Sequence, residues 1–188
     1  MEKFAIGDIC ITNENSYTKK DEWEFVNYLD TGNITRNSID CIQRIDLLCE
    51  KLPSRAKRKA KYNSIVYSTV RPNQRHYGII KEPPENFLVS TGFTVIDAKD
   101  KVADADYLYY FLTQNEIVDH LQAIAEQSVS TYPSIKSSDI EELEIELPGI
   151  ELQKKAAGVL SAFDKKIKIN ILKLPTPFDA LNLEKSIL

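Results

Sequence analysis

Residues 130–170 read STYPSIKSSDIEELEIELPGIELQKKAAGVLSAFDKKIKIN, and this stretch decides the architecture. It opens inside a polar loop, residues 126–136, that carries hydroxyls, one tyrosine and one lysine. Ser138 and Glu141 have the spacing of a capping box and predict a short helical turn. Residues 143–147, LEIEL, alternate apolar and acidic, the pattern of a strand with one wet face. Pro148-Gly149 breaks that strand. Beyond it, Gln153, Ala156, Leu160, Phe163, Ile167, Asn170 and Leu174 recur at spacings of three and four, a heptad seam with two polar members. The pattern predicts a helix of roughly 35 Å at about 1.5 Å per residue, ended by Pro175 and Pro177. A polar loop set before a long amphipathic helix reads as a binding element joined to a spacer.

Upstream, period-two runs predict strands over 4–12, 23–29, 38–48, 64–70, 77–80 and 87–98. Gly92 interrupts the last run and predicts a bulge or a close backbone approach. Leu108, Phe111, Leu112, Val118, Leu121 and Ala125 then recur at helical spacing, predicting one amphipathic helix over 104–126. Asp104 is placed to cap it and Asp106 to favour its first turn. The expected fold class is α+β: a mixed, β-rich domain followed by a long C-terminal coiled-coil-type helix.

At 188 residues, 43% hydrophobic and 28% charged, the chain fits one domain plus an appendage. Its net charge of −4 hides a local excess, because residues 53–62 hold five basic residues and no acid. Cys10, Cys41 and Cys49 are odd in number and lack metal or redox spacing, so they are expected as reduced thiols of a cytoplasmic protein. No apolar stretch approaches the roughly 18 residues of a membrane helix, and the first residues lack the apolar core of a signal peptide. There is no phosphate-binding Walker loop, GxGxxG, HExxH or GxSxG pattern. With six glycines the chain has no glycine-rich cofactor loop after its first strand, and its acids lie along helix faces and strand ends.

Three polar constellations remain. Arg55, Lys57, Arg58, Lys59 and Lys61 form a basic run suited to phosphates, or to a solvated loop. Arg71, Asn73, Gln74, Arg75 and His76 follow a strand, in a loop dense in side chains that grip guanine and adenine edges bidentately, or in an ordinary polar hairpin connection. Ser130, Thr131, Tyr132 and Lys136 supply hydroxyls and a cation for phosphate contact and register, or a capped turn.

Taken in order, GDIC at 7–10, NYLDTGNIT at 27–35, IVYSTVRPNQRHYGI at 65–79, LVSTGFTVI at 88–96, DADYLYYFL at 104–112, STYPSIKSSDIEELEIELP at 130–148 and ELQKKAAGVLSAFDKKI at 151–167 resemble the specificity (S) subunit of type I restriction–modification systems. The resemblance covers about nine tenths of the chain. It implies a target recognition domain over 1–148, a spacer and dimerisation helix over 149–175, and a tail over 176–188 that matches nothing in the family pattern. It also implies binding to double-stranded DNA and docking of DNA methyltransferase (modification) subunits, with a restriction motor subunit reached through the complex. The chain itself would do no chemistry and hold no metal or cofactor. S-adenosylmethionine, ATP and Mg are expected on the partner subunits. Typical members carry two recognition domains and two helices, each domain reading one half of a split target, whereas this chain carries one of each. A half-length subunit acting as a homodimer and a truncated or rearranged product both fit, as does an interaction or regulatory module without its own target.

On this reading Arg71, Asn73, Gln74, Arg75, Ser130, Thr131, Tyr132 and Lys136 are the expected base or near-base contacts. Lys57, Arg58 and Lys61 are expected on phosphates, and Ala156, Leu160, Phe163, Ile167 and Leu174 on the dimerisation face.

Overall fold

A computed structural model describes residues 2–128 and 132–173, with side chains through Asn170. In chain order the elements are β1 (Glu2–Ala5), α1 (Ile6–Ile9), β2 (Cys10–Thr12), β3 (Phe25–Leu29), β4 (Ile34–Thr35), β5 (Ser38–Ile39), β6 (Gln43–Asp46) and β7 (Ala56–Lys59). Then come β8 (Ile65–Ser68), β9 (Tyr77–Ile79), β10 (Phe87–Ser90), β11 (Phe93–Ala98), α2 (Ala105–Leu112), α3 (Asn115–Glu126), α4 (Ser137–Glu141), β12 (Glu144–Leu147) and α5 (Ile150–Lys173).

The strands build two four-stranded sheets, ordered β6-β3-β10-β7 and β2-β11-β8-β9, and two ribbons, β1-β12 and β4-β5. The first sheet is mixed, with β3 and β10 parallel; the second is antiparallel throughout. Strands β8 and β10 are buried at every position because each has both faces covered. Val66, Phe87, Val89, Phe93 and Val95 join a cluster drawn from both sheets. Ile65, Tyr67 and Ile96 turn instead to a larger cluster with Leu108, Leu112, Val118, Leu121 and Ala125 of the helices. Leu88 turns outward to Val26, Tyr28, Ile45 and Ala56, beneath Trp23 and Leu52.

The structure corrects several sequence expectations. The strand expected over 4–12 is cut by α1, whose Ile6 and Ile9 plug the core. The run 38–48 is two short strands, with Ile45 buried while Cys41 and Leu48 are exposed. The run 87–98 is two strands in different sheets. The chain crosses between them at Thr91-Gly92, where a Cβ on Gly92 would lie 2.8 Å from Thr31 Cγ2. The expected close approach is therefore present at Gly92, while a register shift lies two to three residues earlier, between Val89 and Ser90.

The single helix expected over 104–126 is α2 and α3. Thr113 folds its hydroxyl back onto the Tyr109 carbonyl at 2.8 Å, and Gln114 adopts extended backbone, so the helix restarts in a new direction. Asp104 does cap α2, its Oδ1 accepting from the Tyr107 N–H at 3.0 Å. The capping box expected at Ser138 and Glu141 is shifted. Lys136 is the N-cap residue of α4, and Asp139 accepts its N–H at 2.7 Å. Glu141 instead takes the Thr12 hydroxyl.

Strand β12 alternates exposed and buried as its sequence predicts and pairs with β1 in register Phe4↔Ile145. Helix α5 runs 24 residues. Its root is tied to its own domain: Gln153, 1% exposed, accepts from the Asp104 N–H at 2.9 Å and donates to the carbonyls of Val102 at 3.1 Å and Pro148 at 2.8 Å. Ala157 is buried beside it, and Tyr110 donates to Asp164 at 2.8 Å. The heptad reading placed Gln153 and Ala156 on a seam for a second helix, but the structure turns Gln153 inward and leaves Ala156 half-buried. Leu160, Phe163 and Ile167 are exposed, Phe163 at 60%, together with Val159 and Ile169. Leu174 lies outside the described residues.

Candidate nucleic-acid interface

Two loops that are far apart in sequence meet at one edge of the molecule. After β8, Val70 forms a β-bridge with Ser134. The Arg71 N–H donates to the Pro133 carbonyl at 2.9 Å, and the Ile135 N–H to the Thr69 carbonyl at 2.8 Å. The Arg71 guanidinium then sits 5.1 Å from the centre of the exposed Tyr132 ring, a cation–π contact. The structure thus brings Arg71, the first residue of the 71–75 turn, onto Tyr132. Lys136, exposed, begins α4 a few residues on. Ser130 and Thr131 lie outside the described residues.

The 71–75 segment is a tight turn. Pro72–Gln74 form one turn of 3-10 helix, flanked by Arg71 (φ 47°) and Arg75 (φ 58°), both left-handed. Neither is glycine, so each conformation costs on the order of 1 kcal/mol and needs outside support. Helix α3 provides some of it. Arg75 Nη2 donates to Asn115 Oδ1 at 2.8 Å, and the Asn73 N–H donates to Gln122 Oε1 at 3.2 Å. Arg75 Nη1 reaches the Tyr77 hydroxyl at 3.4 Å. His76 Nδ1 lies 2.7 Å from the Ile34 carbonyl, which can only accept, so that nitrogen donates and the ring serves to pin the turn. The side chains of Asn73 and Gln74 are exposed at the crest.

The basic run is not a loop. Residues 56–59 are strand β7, antiparallel to β10 with a register shift that leaves Lys57 unpaired in the ladder, and its cations meet different partners. Lys57 and Arg55 are exposed and face no carboxylate within ion-pair distance among the described residues. Arg58 is half-buried. Its Nη1 is buried without a hydrogen-bond partner among the described residues, and burial pulls its pKa below the ordinary value. Lys59 pairs with Asp21 at 2.5 Å. Lys61 lies 3.3 Å from Glu14 and 3.4 Å from Asp97, and although burial works against its charge, those carboxylates raise its pKa overall. Of the expected phosphate contacts, Lys57 and Arg58 keep uncancelled charge, whereas Lys61 faces two acids.

Backbone contacts join the strand to the turn. The Thr91 N–H donates to the Arg55 carbonyl and the Thr69 N–H to the Gly92 carbonyl, both at 2.8 Å. Arg55 therefore stands between β7 and the loop edge. Its position, and the roles of Asn115 and Gln122, escape a sequence reading that takes 104–126 as one amphipathic helix. Among the described residues no group of three or more histidines, cysteines or acids could hold a metal ion. No described helix is long and apolar enough to cross a membrane.

Cations, side-chain amides and a tyrosine gathered on one edge make a surface matched to a polyanion that also presents donor and acceptor groups. A family model, Type I restriction modification DNA specificity domain, matches residues 1–176, and the chain belongs to that family. It is 28% identical over 174 residues to the type I restriction enzyme HindI specificity subunit of Haemophilus influenzae, covering 90% of this chain and 36% of that protein. It is 37% identical over 93 residues to the MjaIX specificity subunit of Methanocaldococcus jannaschii, covering 50% and 20%.

Among solved structures, the HsdS subunit from Thermoanaerobacter tengcongensis superimposes with a TM-score of 0.75 at 22% identity, over 89% of this chain and 43% of that one. The type I S subunit from M. genitalium does so at 0.56 and 18% identity, over 89% and 40%. The chain thus spans little more than a third of the HindI protein and about two fifths of the solved chains.

Proposed function

We propose that the chain confers DNA sequence specificity on a type I restriction–modification complex, reading one part of a bipartite target and performing no chemistry itself. The observation that carries this reading is the meeting of the 71–75 turn and the 132–136 loop at one cationic edge, in a chain whose family is the type I DNA specificity domain. In this reading Arg71, Asn73, Gln74 and Tyr132 face base edges, and Arg55, Lys57 and Arg58 face phosphates. Residues 1–148 form the recognition domain and α5 the spacer. S-adenosylmethionine, ATP and Mg act on the modification and motor subunits. The exposed Leu160, Phe163 and Ile167 support pairing with a second copy of the chain. Two copies related by a twofold axis read an interrupted palindrome.

Selection from a library of random duplexes, with the chain purified together with its modification subunit, tests the reading. Enrichment of a split motif is expected, and recovery of unselected sequence overturns it. The same exposed stripe on α5 also fits a second reading, an interaction module that engages modification subunits without its own target. That reading predicts stable co-purification with the methyltransferase and no footprint from the complex.

A further inference from the structure

The turn from Arg71 to Arg75 combines two left-handed non-glycine residues with an exposed crest, and its supports come from an element to which the sequence assigns no role. Asn115 and Gln122 lie seven positions apart, so they share one face of α3 two turns apart. Asn115 takes the Arg75 guanidinium at 2.8 Å, and Gln122 takes the Asn73 N–H at 3.2 Å. The orientation of the Gln122 amide is itself set, because its Nε2 donates to Glu126 Oε1 at 2.9 Å. The helix that carries them is fixed to the core by Val118, Leu121 and Ala125, all fully buried. The two contacts are solvent-exposed hydrogen bonds, so they add little to global stability. What they determine is where the crest points.

We propose that Asn115 and Gln122 are positioning residues that hold the 71–75 turn in one register, so that Arg71, Asn73 and Gln74 meet the base edges while Arg75 acts as a strut rather than a reader. This rests on the DNA-reading function proposed above. Both gripped groups, the Arg75 guanidinium and the Asn73 N–H, are held by neutral amide oxygens. The clamp therefore fixes geometry while leaving the positive charge of the turn intact for a polyanion. Discrimination between base pairs depends on bidentate geometry and is lost when the turn swings, whereas phosphate attraction survives such a swing.

The test uses the full chain carrying Asn115→Ala, Gln122→Ala, Arg75→Ala, Asn115→Asp or the Asn115→Ala/Arg75→Ala pair. Two readouts are taken: hydrogen exchange of the 71–77 amides without DNA, and the ratio of affinities for the selected duplex and a scrambled one. The expected result is faster exchange confined to that turn in the alanine variants, with an unchanged melting temperature. The affinity ratio should fall about five- to tenfold while its salt dependence is kept. Asn115→Asp, which retains an acceptor for Arg75 but adds a negative charge, should restore slow exchange and the ratio while weakening binding to both duplexes alike. The double variant should be no worse than either single, since both break one contact.

Unchanged exchange overturns the clamp whether or not DNA is read. Faster exchange with an intact ratio overturns its role in specificity alone. An Arg75→Ala loss well beyond that of Asn115→Ala makes Arg75 a reader and overturns the strut. A wild-type chain that selects no sequence overturns the DNA reading, and this inference with it.

Discussion

Strand β7 with its flanks and the turn at 71–75 are both rich in cations, and they hold them in opposite ways. On the strand side, Lys59 and Lys61 face carboxylates supplied by Asp21, Glu14 and Asp97, so two of the five charges that make residues 53–62 conspicuous are cancelled locally. In the turn, Arg71 lies over the Tyr132 ring and Arg75 against the Asn115 amide, partners that orient a cation without neutralising it. The lesson is that the density of basic residues in a segment does not measure the field it presents. Among the described residues the turn keeps both of its arginines free of carboxylates, and the basic run keeps three of its five cations, Arg55, Lys57 and Arg58, so the two segments present more nearly equal charge than their composition suggests.

The sharpest way to break this contrast is Arg71→Ala. It should cost about 1–3 kcal/mol on the selected duplex and much less on a scrambled one, measured by mobility shift at fixed salt. An equal loss on both would make Arg71 a phosphate contact, the role proposed for Lys57. Next in size, Lys57→Ala should weaken binding to all sequences alike and lower the slope of log affinity against log salt by about 1. Lys61→Ala should change that slope less, because Lys61 is already paired; an equal change would erase the distinction drawn within the basic run.

Smaller again, Asp21→Asn should release Lys59 and raise affinity a few-fold at low salt, an increment lost near 1 M salt, where the screening length falls to roughly 3 Å. The smallest effect is one of pH. The hydrogen bond from Lys59, with the Thr18 N–H, holds the Asp21 carboxyl below its ordinary value. A carboxyl depressed in the fold contributes its tie fully above its unfolded value of about 4, and the tie is lost as pH falls through the lowered one. Titration of the Asp21 carboxyl by NMR should show a midpoint below that of free aspartate, moving back toward it in Lys59→Ala.

Much of the architecture could be read from local pattern, because alternation and capping are local. The LEIEL alternation of β12, the Asp104 cap and the start of α5 after Pro148-Gly149 all act within a few residues. The errors fell where a long-range contact overrode a smooth pattern: α1 bent inward to bury Ile6 and Ile9, and Thr91-Gly92 carried the chain from one sheet to the other. The site divides in the same way. The residue types of the candidate site could be read at 71–75 and 132–136, since side-chain type alone declares arginine, amide and tyrosine. Its assembly was not, because Asp21 lies 38 residues from Lys59, Asn115 lies 40 from Arg75 and Gln122 lies 49 from Asn73. Gln153 is the clearest case. It fits a heptad seam by spacing, yet the unmet backbone groups of Asp104, Val102 and Pro148 take it inward.

That inward glutamine sets the pivot of a lever. Helix α5 extends about 36 Å from its first residue at about 1.5 Å per residue, and its angle is set by the Gln153 amide with three partners, by the buried Ala157 and by the hydrogen bond from Tyr110 to Asp164. A tilt of about 10° there would carry the far end through roughly 6 Å, close to two rungs of a duplex at about 3.4 Å each. In the spacer role proposed for it, such an arm would gauge lengths along a target only as finely as those root contacts hold its angle.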